Sequence, residues 1–167
     1  RGRNLITAET LGKGIKLYCD YDPSLPAVLA DSEKMIQALL NLLRNSLQAL
    51  TSPEIDHQLG EIILRTRISR NITIASKFYK LAVAIEIIDN GPGIPQEISE
   101  TIFYPMISGR PDGSGLGLPI SHGIVTQHGG MIECDSKPGE TKFTVTMPIK
   151  RNSQFSTSKV QQVNELK

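Results

Sequence analysis

Only two cysteines occur in the sequence, Cys19 and Cys134, far apart and outside any CxxC pair. Such usage excludes a disulfide framework and reads as two buried thiols in a reducing, cytosolic protein. Long apolar runs are missing too. The longest, Ala38 to Leu43, is interrupted by Asn41 and falls far short of the ~20 residues that cross a bilayer. No secretory signal pattern opens the chain, so nothing in it reads as a membrane anchor. An excess of one charge is equally absent: eighteen basic residues face seventeen acidic ones, for a net charge of +1. No block of five like charges marks a nucleic-acid or membrane arm, and no internal repeat is visible. What remains is a 167-residue chain, 39% apolar, enough for one domain with its own core.

Residues 1–14 are polar and dotted with glycine and read as a linker. Ile15 to Tyr21 alternates like a strand until Asp22, Pro23 and Pro26 stop it. Asp31 or Ser32 can cap a helix in which Met35, Ile36, Leu39, Leu40, Leu43, Leu47 and Leu50 recur at helical spacing, until Ser52 and Pro53 end it. Glu61 to Ile68 and Leu81 to Ile88 are β-branched strands, with a third short strand expected at Ile72 to Ala75 in the excursion between them. Gln96 to Phe103 reads as a short helix. Tyr104 to Gly117 is rich in glycine and proline, and Pro119 suits the first turn of a helix running to His128. Gly129 and Gly130 close that helix, and Met131 to Asp135 and Lys142 to Ile149 form a last hairpin around Lys137, Pro138 and Gly139. The polar residues 151–167 read as a mobile tail. This order gives an α+β fold, a two-layer sandwich with a mixed sheet and its helices on one face.

Three features carry chemistry. On the long helix, Gln37, Asn41, Asn45 and Gln48 form a line of amides opposite the leucine stripe. Asparagine is a poor helix former, and an amide oxygen is a hard ligand suited to Mg²⁺ held mainly by phosphates and water; taken alone, the line reads first as an ordinary solvated helix face. After the second long strand comes Asp89-Asn90-Gly91-Pro92-Gly93-Ile94-Pro95. These are ordinary turn residues, but a carboxylate at a strand end can also accept from an exocyclic amine such as adenine N6, and Gly91 and Gly93 would let a flat ring approach the backbone. The third feature is Asp112-Gly113-Ser114-Gly115-Leu116-Gly117-Leu118, a pliable loop leading into a helix N-terminus, where free N–H groups suit a phosphate chain or the loop serves as a hinge. It lacks the Gly-Lys-Ser/Thr of a Walker loop, and Leu118 stands where the dinucleotide fingerprint needs glycine.

Together these stretches resemble the GHKL superfamily of ATP-binding domains, the Bergerat fold, and within it the sensor histidine kinase catalytic domain. The resemblance covers residues 15–150. Its N box is matched by Asn41-Leu42-Leu43-Arg44-Asn45-Ser46, its G1 box by Asp89 to Pro95, its F box by the segment around Phe103, and its G2 box by Gly113 to Leu118, in the family's order and spacing. Gly139-Glu140-Thr141 resembles its last adenine-side segment. Tyr21-Asp22-Pro23-Ser24-Leu25-Pro26, Phe103-Tyr104-Pro105-Met106, Ile107-Ser108-Gly109-Arg110 and the excursion from Ile68 to Leu81 are similar to the nitrogen-regulation branch, the NtrB family.

The resemblance implies ATP and Mg²⁺ as cofactors. Asn45 would hold the metal and Asn41 support it; Asp89 would select adenine, with Gly91, Gly93, Ile94 and Thr141 beside it. Gly113, Ser114, Gly115, Leu116, Gly117 and Leu118 would close over the phosphates, and Arg44 or Arg110 would neutralise charge at the γ-phosphate unless they are plain surface charges. Phe103 reads as a core or hinge aromatic. The implied partners are a histidine-bearing dimerisation domain of the same protein, an NtrC-like response regulator and a PII signal protein, with a cytoplasmic homodimeric parent, this piece alone a monomer, and no nucleic acid or membrane.

Three departures matter. His57, His122 and His128 are followed by Gln, Gly and Gly, not by the glutamate of the family's accepting histidine, so the acceptor is expected on a preceding helical domain. Where the superfamily's ATP hydrolases carry a water-activating glutamate, this chain has Asn41, and an amide is no general base. Gln48 also stands where many such kinases have a basic residue. An ATPase switch of the same fold and a non-catalytic docking module are the competing readings.

Overall fold

The computed structural model describes residues 4–6, 14–51, 60–107 and 115–149. In chain order its elements are β1 (Asn4–Ile6), β2 (Lys16–Asp20), α1 (Ser32–Leu50), β3 (Glu61–Ile74), β4 (Lys77–Asp89), α2 (Gln96–Ser99), α3 (Gly117–Gln127), β5 (Met131–Lys137) and β6 (Glu140–Pro148). The strands form one sheet in the order β1-β2-β3-β4-β6-β5. Among the described strands only β2 and β3 pair in parallel. A parallel pair needs a long crossover, and α1 provides it.

Alternation along the strands separates two faces. Ile62, Ile87, Phe143, Val145 and Ile132 point to one side, where they form the core with Ala38 and Leu42 of α1 and Val125 of α3. The other side is open and charged. There the Asp20 carboxylate accepts from Arg65 at 3.0 Å and from Arg67, and Arg65 also reaches Glu86 at 3.5 Å. Those two guanidiniums, Arg67 foremost, hold the Asp20 carboxyl below its ordinary value. The fold is thus the two-layer α+β sandwich expected from the sequence.

α1 begins where expected, with the Asp31 carboxylate accepting from the Lys34 N–H at 3.2 Å. Its buried line is displaced from the leucine stripe, because the residues fully enclosed are Ala38, Leu42 and Ser46, whereas Ile36 and Leu40 are exposed. The reason is α3. The Ser121 hydroxyl donates to the Ala38 carbonyl at 3.1 Å, and so close an approach of two helices admits only small side chains at the crossing.

Three further expectations change. The excursion between the long strands is a continuous hairpin: β3 runs unbroken to Ile74, and Ala75 and Ser76, with φ of +47° and +65°, make the two-residue turn. Asn71 takes φ +52° without altering the register, since Arg70 faces Leu81 and Ile72 faces Tyr79 on either side of it. The helix expected over 96–103 is α-helical only to Ser99; tighter bonds carry the chain onward, Thr101 N–H to Ile98 and Tyr104 N–H to Thr101. Within the expected linker, Asn4–Ile6 pairs antiparallel with β2. The tail, 151–167, lies outside the described residues.

Candidate functional site

The last residue of β4 is Asp89, whose backbone pairs with Ile62 on one side and Thr141 on the other. Its side chain turns into the helical layer and is 2% exposed. A carboxylate so enclosed must be hydrogen-bonded. The Ser46 hydroxyl donates to Oδ2 at 2.6 Å, and the Gly91 N–H donates to Oδ1 at 3.0 Å. The first bond spans 43 residues and fastens the middle of α1 to the end of β4.

The Gly91–Ile94 turn packs against the β5–β6 turn. The Gly139 N–H donates to the Gly91 carbonyl at 3.0 Å, the Ile94 N–H to the Ser136 hydroxyl at 2.8 Å, and Ser136 lies 3.0 Å from the Thr141 hydroxyl. Thr141 is itself buried. The structure therefore brings Asp89, Gly91, Gly93, Ile94 and Thr141 into one corner. It also gives the glycines a different local reason. A Cβ on Gly91 would sit 2.8 Å from Asp89 Oδ1, and one on Gly93, where φ is +88°, would sit 2.7 Å from the Lys137 carbonyl oxygen. Both are demanded by the packing of the turn, before any ligand is considered.

Asn41 and Asn45 are half-buried, whereas Gln37, Arg44 and Gln48 are exposed, so the amide line does not face solvent along its whole length. The Asn41 amide lies 3.5 Å from the Gly117 carbonyl at the start of α3. That helix opens without a side-chain cap, and its first N–H groups are left at the loop end. Leu116 precedes it, 44% exposed, and Leu118 packs on the core. Gly115, with φ +63°, is pressed against Met106. Arg110, Gly113 and Ser114 lie outside the described residues.

Phe103 rests partly on the core with its ring 5.5 Å from that of His122, as a core or hinge aromatic does. Cys134 is half-buried on the helical face of β5, and its thiol is pushed up to about 12 by burial first and then by Asp135 and Asp89. Both cysteines are free thiols. Among the described residues no three His, Cys, Asp or Glu side chains cluster as metal ligands, and no helix is long and apolar enough to cross a membrane. A cleft of about 110 Å³, lined by Glu61, Ile63, Ile88 and Gly139 among others, opens on the charged side of the sheet. It is too small for a nucleotide.

The sequence assigns Ser46, the last residue of the N-box match, no role of its own, and does not single out Ser136. A serine in a helix and another in a strand carry no signal of their own; only the fold shows that each hydroxyl meets a site residue.

Residues 30–151 match the model of the histidine kinase-, DNA gyrase B- and HSP90-like ATPases. The chain belongs to this family of ATP-binding domains. It is 49% identical over 147 residues to the sensory histidine kinase/phosphatase NtrB of Escherichia coli O157:H7, and 47% identical over 149 residues to that of Vibrio alginolyticus. These alignments take in 88% and 89% of this chain but only 40% and 41% of the relatives, so the chain spans about two fifths of their length. Among solved structures it is similar to the mycobacterial sensor histidine kinase MprB, with 28% identity, a TM-score of 0.62, and 81% of this chain and 82% of the other covered. The GHKL fold expected from the four motifs is the fold observed.

Proposed function

We propose that this chain is the ATP-binding catalytic domain of a two-component sensor histidine kinase of the nitrogen-regulation type. One observation carries the reading: the Ser46–Asp89 bond at 2.6 Å joins the asparagine-bearing stretch of α1 to the Asp89–Gly93 turn, beside the uncapped start of α3. In this reading a carboxylate for a purine amine, amides for a metal and a helix N-terminus for phosphates serve one nucleotide.

In this reading Asp89 accepts from the 6-amino group of adenine, with Gly91, Gly93, Ile94 and Thr141 shaping the pocket around it. Gly113 to Leu118 close over the triphosphate, whose charge suits the N–H groups at the start of α3. Asn45 supplies an amide oxygen to Mg²⁺, and Asn41 supports it while holding Gly117. Hard neutral oxygens of this kind fit a cation that keeps most of its bonds for phosphates and water. When bound, the metal neutralises charge on the phosphate oxygens. Arg44 and Arg110 are candidates to assist it.

The chemistry is then one of positioning. A histidine nitrogen on the separate helical domain forms a bond to the γ-phosphorus as the bond to the β–γ bridging oxygen breaks, and ADP leaves. His122 is turned toward Phe103, and His128 Nδ1 lies 2.7 Å from the Ile124 carbonyl oxygen; neither stands in a His-Glu motif. The phosphoryl group passes on to an aspartate of an NtrC-like response regulator. The relatives' name adds phosphatase action, which a PII signal protein would favour. A cytoplasmic homodimeric parent fits this role, with residues 1–14 leading from the histidine domain and lending β1 to the sheet, 15–150 forming the rest of the catalytic domain and 151–167 a tail.

Calorimetric titration with a non-hydrolysable ATP analogue, with and without Mg²⁺ and with ATP turnover followed in parallel, tests the reading. Metal-dependent binding with negligible turnover is expected. Absence of binding would favour a docking module, and appreciable hydrolysis an ATPase switch.

A further inference from the structure

Ser46 occupies a position that packing alone would give to alanine. It follows Ala38 and Leu42 at intervals of four along the fully enclosed line of α1, and it is 1% exposed. A hydroxyl there is tolerated only if it is bonded, and the bond it makes is to Asp89 Oδ2 at 2.6 Å. With the Gly91 N–H on Oδ1 at 3.0 Å, the carboxylate is gripped at both oxygens. A carboxylate offers about four lone-pair sites, so these two bonds fix its plane without exhausting its capacity to accept.

We propose that Ser46 is a positioning residue for purine selection: its hydroxyl sets the Asp89 carboxylate in the orientation that accepts a 6-amino group. The inference rests on the reading of Asp89 as the adenine acceptor. Without the hydroxyl, Oδ2 loses the bond that ties it to α1, and the carboxylate can turn more freely about its terminal torsion, whose well is broad. Alignment with the amine is lost, while the rest of the pocket is unchanged.

The test compares ATP with purine riboside triphosphate, which lacks the amino group, binding to the chain and to Ser46→Ala, Ser46→Cys and Asp89→Asn. Cysteine keeps the volume with only a weak donor, so it answers for alanine if that variant does not fold. The expected result is an ATP affinity about tenfold weaker in either Ser46 variant, an unchanged affinity for the analogue, and no further loss when Ser46→Ala is added to Asp89→Asn. Equal weakening of both nucleotides would make Ser46 merely structural and overturn the proposal, as would an unaltered preference for ATP. Should Asp89→Asn itself retain the preference, the reading of Asp89 fails and the inference with it; if Asp89→Asn loses the preference and both Ser46 variants keep it, only the inference fails.

Discussion

Met106 and Gly115 are joined backbone to backbone. The Met106 N–H donates to the Gly115 carbonyl at 3.1 Å, and a Cβ on Gly115 would lie 2.8 Å from the Met106 carbonyl carbon. Both residues adopt positive φ, +68° and +63°. Met106 is thereby fixed to the residue two places before α3.

Gly115→Ala meets two obstacles, a left-handed backbone and the Met106 carbonyl. The variant should lose about 1–2 kcal/mol of stability, seen as a lower Tm, and should bind ATP about tenfold more weakly, because the added Cβ displaces the backbone that leads into the start of α3. Melting curves with and without nucleotide check both effects.

Asn45→Ala should remove most of the Mg²⁺ dependence of nucleotide binding, with about a tenfold loss of affinity in the presence of the metal. Its affinity without metal should match that of the unaltered chain. Titrations at matched ionic strength measure the difference.

Much of this site was legible before the fold. Asn41, Asn45, Asp89 and the glycines stand in short motifs whose residue types are unusual for their surroundings, and motif order supplied the rest. Less legible was whatever depended on contacts distant in sequence. The buried face of α1 shifted because Ser121 approaches Ala38, which no periodicity records. Ser46 looks like any helical serine until Asp89 is placed beside it. The long hairpin was broken up in the sequence reading because its turn uses Ala75 and Ser76, where asparagine and glycine are the usual signal. The strand at Asn4–Ile6 is short and polar at its start, and only its pairing with β2 defines it.

The Asp20 carboxyl is held low by Arg67 and Arg65. A folded value below the unfolded one means that the stabilisation is present above the ordinary carboxylate value of 3.8 and is lost as pH falls through the depressed value. Stability should therefore decline with acid below about pH 4, and Arg67→Ala should make the decline shallower. Denaturant midpoints from pH 3 to pH 7 would show it.

Cys134, pushed up to about 12, stays a protonated thiol at neutral pH. Reaction with a disulfide reagent at pH 8 should be at least about a hundredfold slower than for an exposed cysteine, and should become fast only on unfolding. Labelling rates read by mass, with Cys19→Ser to isolate the signal, decide this.

Mixing this chain with the separately prepared histidine-bearing domain proposed for its parent and γ-labelled ATP tests histidine kinase action itself. The expected result is acid-labile label on a histidine of that domain, none on this chain, and loss of transfer with Asp89→Asn or Asn45→Ala. Label appearing on this chain, or no transfer despite ATP binding, would contradict it.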